Sequence, residues 1–267
     1  MLSIMGEASS RQVKLLAGLQ RKKLRDKSGL FMVEGLRLAE TAANSDYETE
    51  LAVFSPKFAQ TPRGQNLLAQ LENNKIPLYE ADDKAMAKIC EVDTPQGIVM
   101  AVRQKVFTLS NLQNKANPLF VVLDNVQDPG NVGTIIRTAD AAGASGVIAT
   151  KGTVDVWSGK VVRSAMGSHF HLPVVGGVSI AELTDFWGEC NIKAYAGLLN
   201  PGSLPYYEAD LRQSAIIVSN EAFGISRELL PYVEPIHIPM PGSAESLNVA
   251  TAAAVIIFGA VRQRNGK

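Results

Sequence analysis

Residues 123–139 of the chain read LDNVQDPGNVGTIIRTA. An apolar run ends at Leu123, a polar turn follows, and apolar residues then return at helical spacing. This pattern predicts a buried strand, a loop and a helix whose N-cap is Asn131. Backbone N–H groups at such a helix start face the sheet edge where α/β proteins bind their ligands, so the segment predicts a binding site.

Arg137 interrupts the otherwise apolar face of this predicted helix, one turn after Gly133. Its side chain leans back toward the start of the helix, where a guanidinium can fork onto a phosphate or a carboxylate. A structural salt bridge is the alternative interpretation.

Two further segments combine strand ends, loops and polar side chains. Residues 216–226, IIVSNEAFGIS, run from an apolar strand into Glu221 and Gly224. Residues 238–250, IPMPGSAESLNVA, form a loop with two prolines and a glycine before an Ala-rich helix, for which Ser246 is the predicted N-cap. Each segment alone also fits ordinary helix capping. Together they place a carboxylate and a rigid loop near one sheet edge.

An α/β pattern surrounds these segments in the second half of the chain. Short apolar runs rich in β-branched residues predict strands buried on both faces of a parallel sheet. These strands are Leu119–Leu123, Gly146–Ala149, Ile192–Ala196, Ala215–Ser219 and Ile236–Ile238. A final helix is predicted over Leu247–Arg262.

A similar pattern occupies the first half. The predicted strands are Leu30–Val33, Leu51–Phe54, Ile76–Tyr79 and Gly97–Val102, and the predicted helices are Leu36–Ala43, Gly64–Asn73 and Asp82–Glu91. A polar stretch then separates the two patterns. We therefore predict a first domain over residues 1–107, a linker over 108–117 and a second domain over 118–267.

The charges are distributed unevenly, although 26 basic and 26 acidic residues give the chain no formal net charge. Residues 1–30 hold seven basic and two acidic groups, a charge of +5, which leaves −5 for the remainder. Helical composition extends from about Ser10 to Lys27. This basic helix suits contact with nucleic-acid phosphates, although a solvated helix face is the alternative.

Several classes of protein are excluded by what the sequence lacks. Cys90 and Cys190 have no CxxC spacing, and no GxGxxG, GxxxxGK[ST] or HExxH motif occurs. The apolar run at 252–261 falls short of the roughly 20 residues of a membrane span. With no evident signal peptide, we expect a cytoplasmic protein.

The three segments, in this order and spacing, resemble the three motifs of the SpoU (TrmH) family within the SPOUT class of S-adenosylmethionine-dependent RNA methyltransferases. The similarity extends from about Pro118 to Phe258. Ser219 and Ala222 depart from it, since the family commonly has glycines flanking this glutamate. Residues 30–35, together with the basic segment before them, resemble the small RNA-binding domain that often precedes this catalytic domain and is similar in fold to ribosomal protein L30e.

The resemblance implies a fold, a reaction and a set of partners. It implies a SPOUT α/β domain with a parallel sheet and a deep trefoil knot, preceded by a small L30e-like α/β domain, in a homodimer. The reaction would transfer a methyl group from S-adenosylmethionine to a ribose 2′-hydroxyl of structured RNA, with 23S ribosomal RNA the favoured substrate and no metal. Alternatives are a tRNA 2′-O-methyltransferase and a non-catalytic RNA-binding or ribosome-assembly protein.

The resemblance also implies roles for individual residues. The catalytic group is Arg137, Asn131, Glu221, Ser246 and Asn248. The cofactor-binding group is Leu198, Ser219, Gly224, Ile238, Met240 and Leu247. The RNA-binding group is Arg11, Lys14, Arg21, Lys22, Lys23 and Arg25 of the basic segment, together with Arg163, which falls in a family pattern Arg-Ser-Ala-x-Gly. A surface salt bridge is the alternative interpretation of Arg163.

Two histidines provide a further expectation. His169 and His171 lie two residues apart and would share a face on a strand. A metal site needs further ligands, and none is apparent, so we expect structural or substrate-contacting histidines.

Overall fold

The computed structural model describes residues 5–92, 94–198, 200–220 and 224–266. These residues divide into two compact units. The first contains the chain up to Lys105 together with Trp157–Phe170, and the second contains Val106–Val156 together with the chain from His171 onward. The chain therefore returns to the first unit after it has begun the second.

The first unit is built on a four-stranded sheet in the order β1-β4-β2-β3, in which β4 is antiparallel to β1 and β2, and β3 is parallel to β2. Its strands are β1 (Leu30–Glu34), β2 (Thr49–Phe54), β3 (Leu78–Glu80) and β4 (Ile98–Arg103). Its helices are α1 (Ser10–Gly18), α2 (Lys22–Ser28), α3 (Leu36–Ala43), α4 (Pro56–Ala59), α5 (Pro62–Asn73), α6 (Asp83–Ile89) and, from the returning segment, α8 (Gly159–Ser164).

Aromatic side chains join the returning segment to the core of the first unit. The ring centroid of Trp157 lies 4.8 Å from that of Phe31, and Phe170 meets Tyr47 edge-on at 5.0 Å. The Tyr47 hydroxyl donates to the carbonyl oxygen of His169 at 2.7 Å. Burial of large aromatic side chains is a main source of stability, so residues 157–170 complete this core.

The basic segment forms two helices, where the sequence predicted a single one. α1 ends at Gly18 and α2 begins at Lys22. Arg25 is 3% exposed, and its guanidinium donates to the carbonyl oxygens of Leu19 (2.7 Å) and Gln20 (2.9 Å). Arg25 therefore satisfies two backbone carbonyl groups in the turn between α1 and α2. The RNA contact expected of Arg25 would require this turn to open.

The second unit is built on a seven-stranded sheet in which every described pairing is parallel, in the order β7-β6-β5-β10-β8-β11-β9. Its strands are β5 (Leu119–Asp124), β6 (Gly146–Thr150), β7 (Val174–Val178), β8 (Lys193–Gly197), β9 (Leu204–Pro205), β10 (Ser214–Ser219) and β11 (Glu234–His237). Its α-helices are α7 (Pro129–Ala141), α9 (Ile180–Cys190) and α10 (Val249–Arg264). Parallel pairing places all the carboxyl ends at one edge.

The helix starts predicted for the segments 123–139 and 238–250 were wrong by three and two residues, respectively. The N-cap of α7 is Asp128, which accepts the Asn131 N–H at 2.7 Å, so Asn131 lies inside the first turn. The N-cap of α10 is Asn248, which accepts the N–H groups of Ala250 and Thr251, and Ser246 lies outside the helix. In the described part of the chain, no helix is long and apolar enough to cross a bilayer.

Candidate active site

The carboxyl ends of three adjacent strands bring together positions that are distant in sequence. Ser219 ends β10, Leu198 follows β8, and Ile238 follows β11. These strands are neighbours in the order β10-β8-β11, and all three side chains are half-buried. The Leu198 N–H donates to the Ile236 carbonyl at 2.8 Å, which fixes the loop beside the strand. These three neighbouring strand ends, which carry two apolar side chains and one hydroxyl, form the strand-end cradle.

The loop after β10 carries further predicted site residues. Gly224 adopts a φ of +66°, and its N–H donates to the Asn220 carbonyl at 2.9 Å. A left-handed backbone of this kind favours glycine, which explains the residue type. Glu221, the predicted carboxylate of this motif, falls outside the described residues.

A fully buried carboxylate supports this edge, and sequence reasoning assigned it no role. Asp124 ends β5 and accepts the Ser226 hydroxyl (2.8 Å) and the Ser226 N–H (2.7 Å). It also accepts the Thr150 hydroxyl at 3.0 Å and the Asn125 amide at 3.2 Å. Asp124 thus ties together the ends of β5 and β6 and the loop after β10. The available signal was an acidic residue directly continuing an apolar strand.

A side-chain hydrogen bond joins the starts of α7 and α10. The Asn248 Nδ2 donates to Asn131 Oδ1 at 3.1 Å. Two predicted catalytic residues, 117 positions apart, are therefore in direct contact. Ser246 is exposed two residues before Asn248, and Leu247 and Met240 are half-buried in the preceding loop.

Arg137 lies on α7 with an exposed side chain. It is six residues beyond Asn131, about 9 Å along a helix axis at the usual rise, and its side chain is expected to lean back toward Asn131. Within the described residues no carboxylate forms an ion pair with Arg137, so the structural salt bridge considered from sequence is not seen there.

Most of the predicted RNA-binding cations are exposed. Arg11, Lys14, Arg21, Lys22 and Lys23 all face solvent, and Lys22 pairs with Asp26 at 2.8 Å. Arg163 differs, because its guanidinium lies 2.9 Å from Glu34 and 2.8 Å from Glu91. The Glu34 side chain is only 3% exposed, so Arg163 is part of a half-buried ion-pair network in the first unit.

His169 and His171 do not lie on a strand, so the shared strand face that their spacing predicted is not formed. His169 is 1% exposed and lies in a short 3₁₀ turn, Ser168–Phe170, of the first unit. His171 belongs to the second unit, where its exposed ring has Nδ1 3.3 Å from Asp140. The 3₁₀ turn breaks the alternation that a strand would have given.

Comparison with known proteins places these features in a family. The model of the SpoU rRNA Methylase family matches residues 118–258, and that of the MRM3-like substrate binding domain matches residues 10–100. The 23S rRNA (guanosine(2553)-2′-O)-methyltransferase RlmP of Bacillus subtilis (strain 168) is 35% identical, over 94% of this chain and 96% of its own length. The 23S rRNA (uridine(2479)-2′-O)-methyltransferase of Streptomyces viridochromogenes is 32% identical, over 96% and 90%.

Solved structures agree with the sequence matches. The AdoMet-bound rRNA methyltransferase from Sinorhizobium meliloti gives a TM-score of 0.85 at 31% identity, covering 97% of this chain and 98% of that one. The SpoU methyltransferase AviRb from Streptomyces viridochromogenes, in complex with AdoMet, gives 0.85 at 28% identity, covering 97% and 100%. The fold is therefore the α/β fold of SPOUT methyltransferases. Because the family match takes in more than half of the sequence, the chain belongs to the SpoU rRNA methylase family.

Proposed function

We propose that this protein is an S-adenosylmethionine-dependent methyltransferase that methylates a ribose 2′-hydroxyl of 23S ribosomal RNA. The observation that carries the proposal is the Asn131–Asn248 hydrogen bond, which joins the starts of α7 and α10 in a member of this family. Relatives of nearly the same length are named 23S rRNA 2′-O-methyltransferases, which supports the choice of substrate.

The strand-end cradle has the chemical character that S-adenosylmethionine requires. Leu198, Ile238 and Leu247 are half-buried and offer apolar surface to an adenine ring. Loop backbone groups beside them can pair with polar edges of the ring. We assign Leu198, Ser219, Gly224, Ile238, Met240 and Leu247 to this binding role. The cofactor supplies an electrophilic methyl group, which leaves positioning and activation of the ribose hydroxyl to the protein.

Asn131, Asn248 and Ser246 are proposed to orient the ribose, because amide and hydroxyl groups both donate and accept hydrogen bonds. Arg137 is proposed to bind an RNA phosphate or the developing alkoxide. A guanidinium stays protonated in proteins, so Arg137 is a poor proton acceptor. The proton acceptor must be another group, and Glu221 is the carboxylate that the motif offers.

Replacement of Arg137 by Ala tests this assignment. We expect the affinity for S-adenosylmethionine, measured by isothermal titration, to stay within about twofold, while methyl transfer falls by roughly 100-fold or more. Transfer is measured as tritium incorporated into unmodified 23S rRNA, with bulk tRNA as a parallel substrate. Arg212→Ala is the matched control, because Arg212 is exposed and precedes β10, at the opposite edge of the sheet from the proposed site. Substantial residual transfer by the Arg137 variant would contradict the assignment, and preferential labelling of tRNA would contradict the substrate.

A division of labour between the units accompanies this proposal. We assign RNA docking to the region 1–107 and methyl transfer to the region 118–267, with the exception that residues 157–170 belong to the first unit. The threading of the C-terminal segment into a trefoil knot is inferred from membership of the SPOUT class. We also propose a cytoplasmic location, which the bacterial relatives named 23S rRNA methyltransferases support.

A homodimer is proposed from the surface of α10. This helix buries Val249, Ala253, Ile256 and Ala260, yet its outer face carries Phe258 at 48% exposure. A helix that is apolar around most of its circumference usually packs on both sides. A second copy of the chain is the partner that would cover the outer face.

A further inference from the structure

A cleft of about 800 Å³ lies within the first unit, outside the proposed methyl-transfer site. It is lined by the end of β1, the start of α3, the loop before β4, the beginning of α4 and α5, and the residues Arg163 and Met166. All these residues belong to the first unit. The volume falls within the range of about 300–1,000 Å³ that is usual for ligand-binding clefts.

Positive charge dominates the lining of the cleft. Arg37, Lys57, Arg63 and Arg163 contribute four cations, and the single carboxylate among the described lining residues, Glu34, is already paired with Arg163. Arg63 is paired with Glu40. Arg37 and Lys57 are exposed and form no ion pair within the described residues. These two side chains therefore offer charge that a bound anion can neutralise.

The start of α3 adds a directed donor. Gly35, with a φ of +100°, precedes the helix and provides no side-chain cap. The Gln96 Oε1 accepts the Leu36 N–H at 2.8 Å instead. This contact fixes the Gln96 side chain and leaves its Nε2 amide group without an acceptor in the part of the chain described. A fixed amide beside a cleft can donate to an acceptor on a nucleobase.

Met166 supplies an apolar surface at the cleft. Its backbone has a φ of +51°, a sparsely populated conformation for a residue other than glycine, and the residue is 44% exposed. The next residue, Gly167, is required to be small, because an added Cβ would lie 2.9 Å from Thr41 Cγ2. The tight turn thus holds the polarisable thioether of Met166 where it faces solvent. A strained backbone of this kind costs free energy and often marks a functional position.

We propose that this cleft binds an unpaired, unstacked segment of the substrate RNA, with phosphates on Arg37 and Lys57 and a base against Met166 and Gln96. The inference rests on the proposed function for its choice of RNA. Phosphate charge alone would fit any nucleic acid, paired or not. Base edges and faces become accessible to an amide and an apolar side chain only when the base is out of the helical stack, which selects a single-stranded segment.

Binding of two labelled probes to the full-length protein tests the proposal. The probes are a 16-nucleotide single-stranded RNA of mixed sequence and a blunt RNA duplex of the same length, followed by fluorescence anisotropy at several salt concentrations. We expect the double variant Arg37→Gln/Lys57→Gln to bind the single strand roughly tenfold more weakly. The slope of log affinity against log salt concentration should be shallower by about 1.4 for this variant than for the wild type, because two phosphate contacts are lost.

Two matched variants separate a specific cleft from diffuse charge. Lys115→Gln/Lys193→Gln removes the same charge from exposed positions outside the region 1–107, and it should change affinity by less than about twofold. Met166→Gly relieves the left-handed backbone, so folding is preserved, and it should weaken single-strand binding about fivefold while duplex binding stays the same. Equal losses in the two double variants, or an unchanged preference for the single strand in Met166→Gly, would overturn the proposal.

This outcome is independent of the test of methyl transfer. If the wild-type protein labels 23S rRNA and the cleft variants bind RNA normally, the RNA-binding role of the cleft is overturned and the proposed function stands. Wild-type protein that labels no 23S rRNA overturns the proposed function, whereas the binding comparison of the variants retains its meaning.

Discussion

Asp124 is a carboxylate shielded from solvent and satisfied by neutral donors from Ser226, Thr150 and Asn125. Asp124→Asn replaces one acceptor oxygen with a donor that faces other donors. We expect the free energy of unfolding in urea to fall by about 2–3 kcal/mol, as for hydrogen bonds to a charged group. S-adenosylmethionine affinity should fall as well, because the loop after β10 loses its anchor.

Asp185→Asn, at an exposed position of α9, is the control for Asp124→Asn and should leave both quantities nearly unchanged. If Asp124→Asn unfolds at the same urea concentration as the wild type, the anchoring role is wrong.

The two cysteines differ in how strongly their surroundings disfavour the thiolate. Burial, followed by the charge of the nearby Glu34 carboxylate, raises the pKa of Cys90 to about 12. Burial also raises the pKa of Cys190. Because the thiolate is the reactive form, iodoacetamide at pH 8 should modify Cys190 well before Cys90. Peptide mass spectrometry over time measures the order, and the Cys90 rate should climb as the pH rises toward 12. Faster modification of Cys90 at pH 8 would contradict the expected order.

The start of α10 combines a structural and a chemical role in Asn248. Its Oδ1 caps the helix, and its Nδ2 donates to Asn131. Asn248→Asp keeps the capping acceptor but loses the donor, so we expect near-normal stability and a large loss of methyl transfer. Asn248→Ala should lose the transfer and also about 1 kcal/mol of stability. Thermal unfolding and tritium transfer together distinguish the two variants. Equal losses of stability in Asn248→Asp and Asn248→Ala would contradict the capping role of Oδ1.

Most strands of both sheets could be predicted from the sequence, because short β-branched apolar runs between polar turns are typical of buried strands and too short for helices. α3 was predicted with its observed bounds, and most strands agree to within two residues. β7 and β9 were missed. β7 contains two glycines, and β9 has only two residues, so neither carries the usual pattern.

The helix starts show why the candidate site was only partly predictable. Asp128 and Asn131 are both good N-cap residues, and Pro129 directly after Asp128 was the signal that decides between them. Asn131 and Asn248 were both assigned to the catalytic group from the sequence, which did not predict their contact; the structure places their side chains in hydrogen-bond contact, and their catalytic roles stay a prediction. Asp124 could not be assigned from sequence, since its partners lie 26 and 102 residues away.

At the scale of the whole molecule, the proposed dimer depends on the outer face of α10. Phe258→Asp should convert the dimer into a monomer in sedimentation equilibrium, because burying an unpaired carboxylate in an apolar interface is costly. Val106→Asp is the control, since Val106 is 82% exposed and lies on another surface segment. A Phe258→Asp protein that remains dimeric would exclude this face as the interface.

The return of residues 157–170 to the first unit has a consequence for synthesis on the ribosome. A domain that is contiguous in sequence can fold as soon as its last residue emerges. Here Trp157 and Phe170 are missing from the first core when Lys105 appears, and 65 further residues must be made before Phe170 is added. At about 5–20 residues per second this takes roughly 3–13 s. During that interval the nascent first unit exposes the apolar surface around Phe31 and Tyr47, where chaperones can bind.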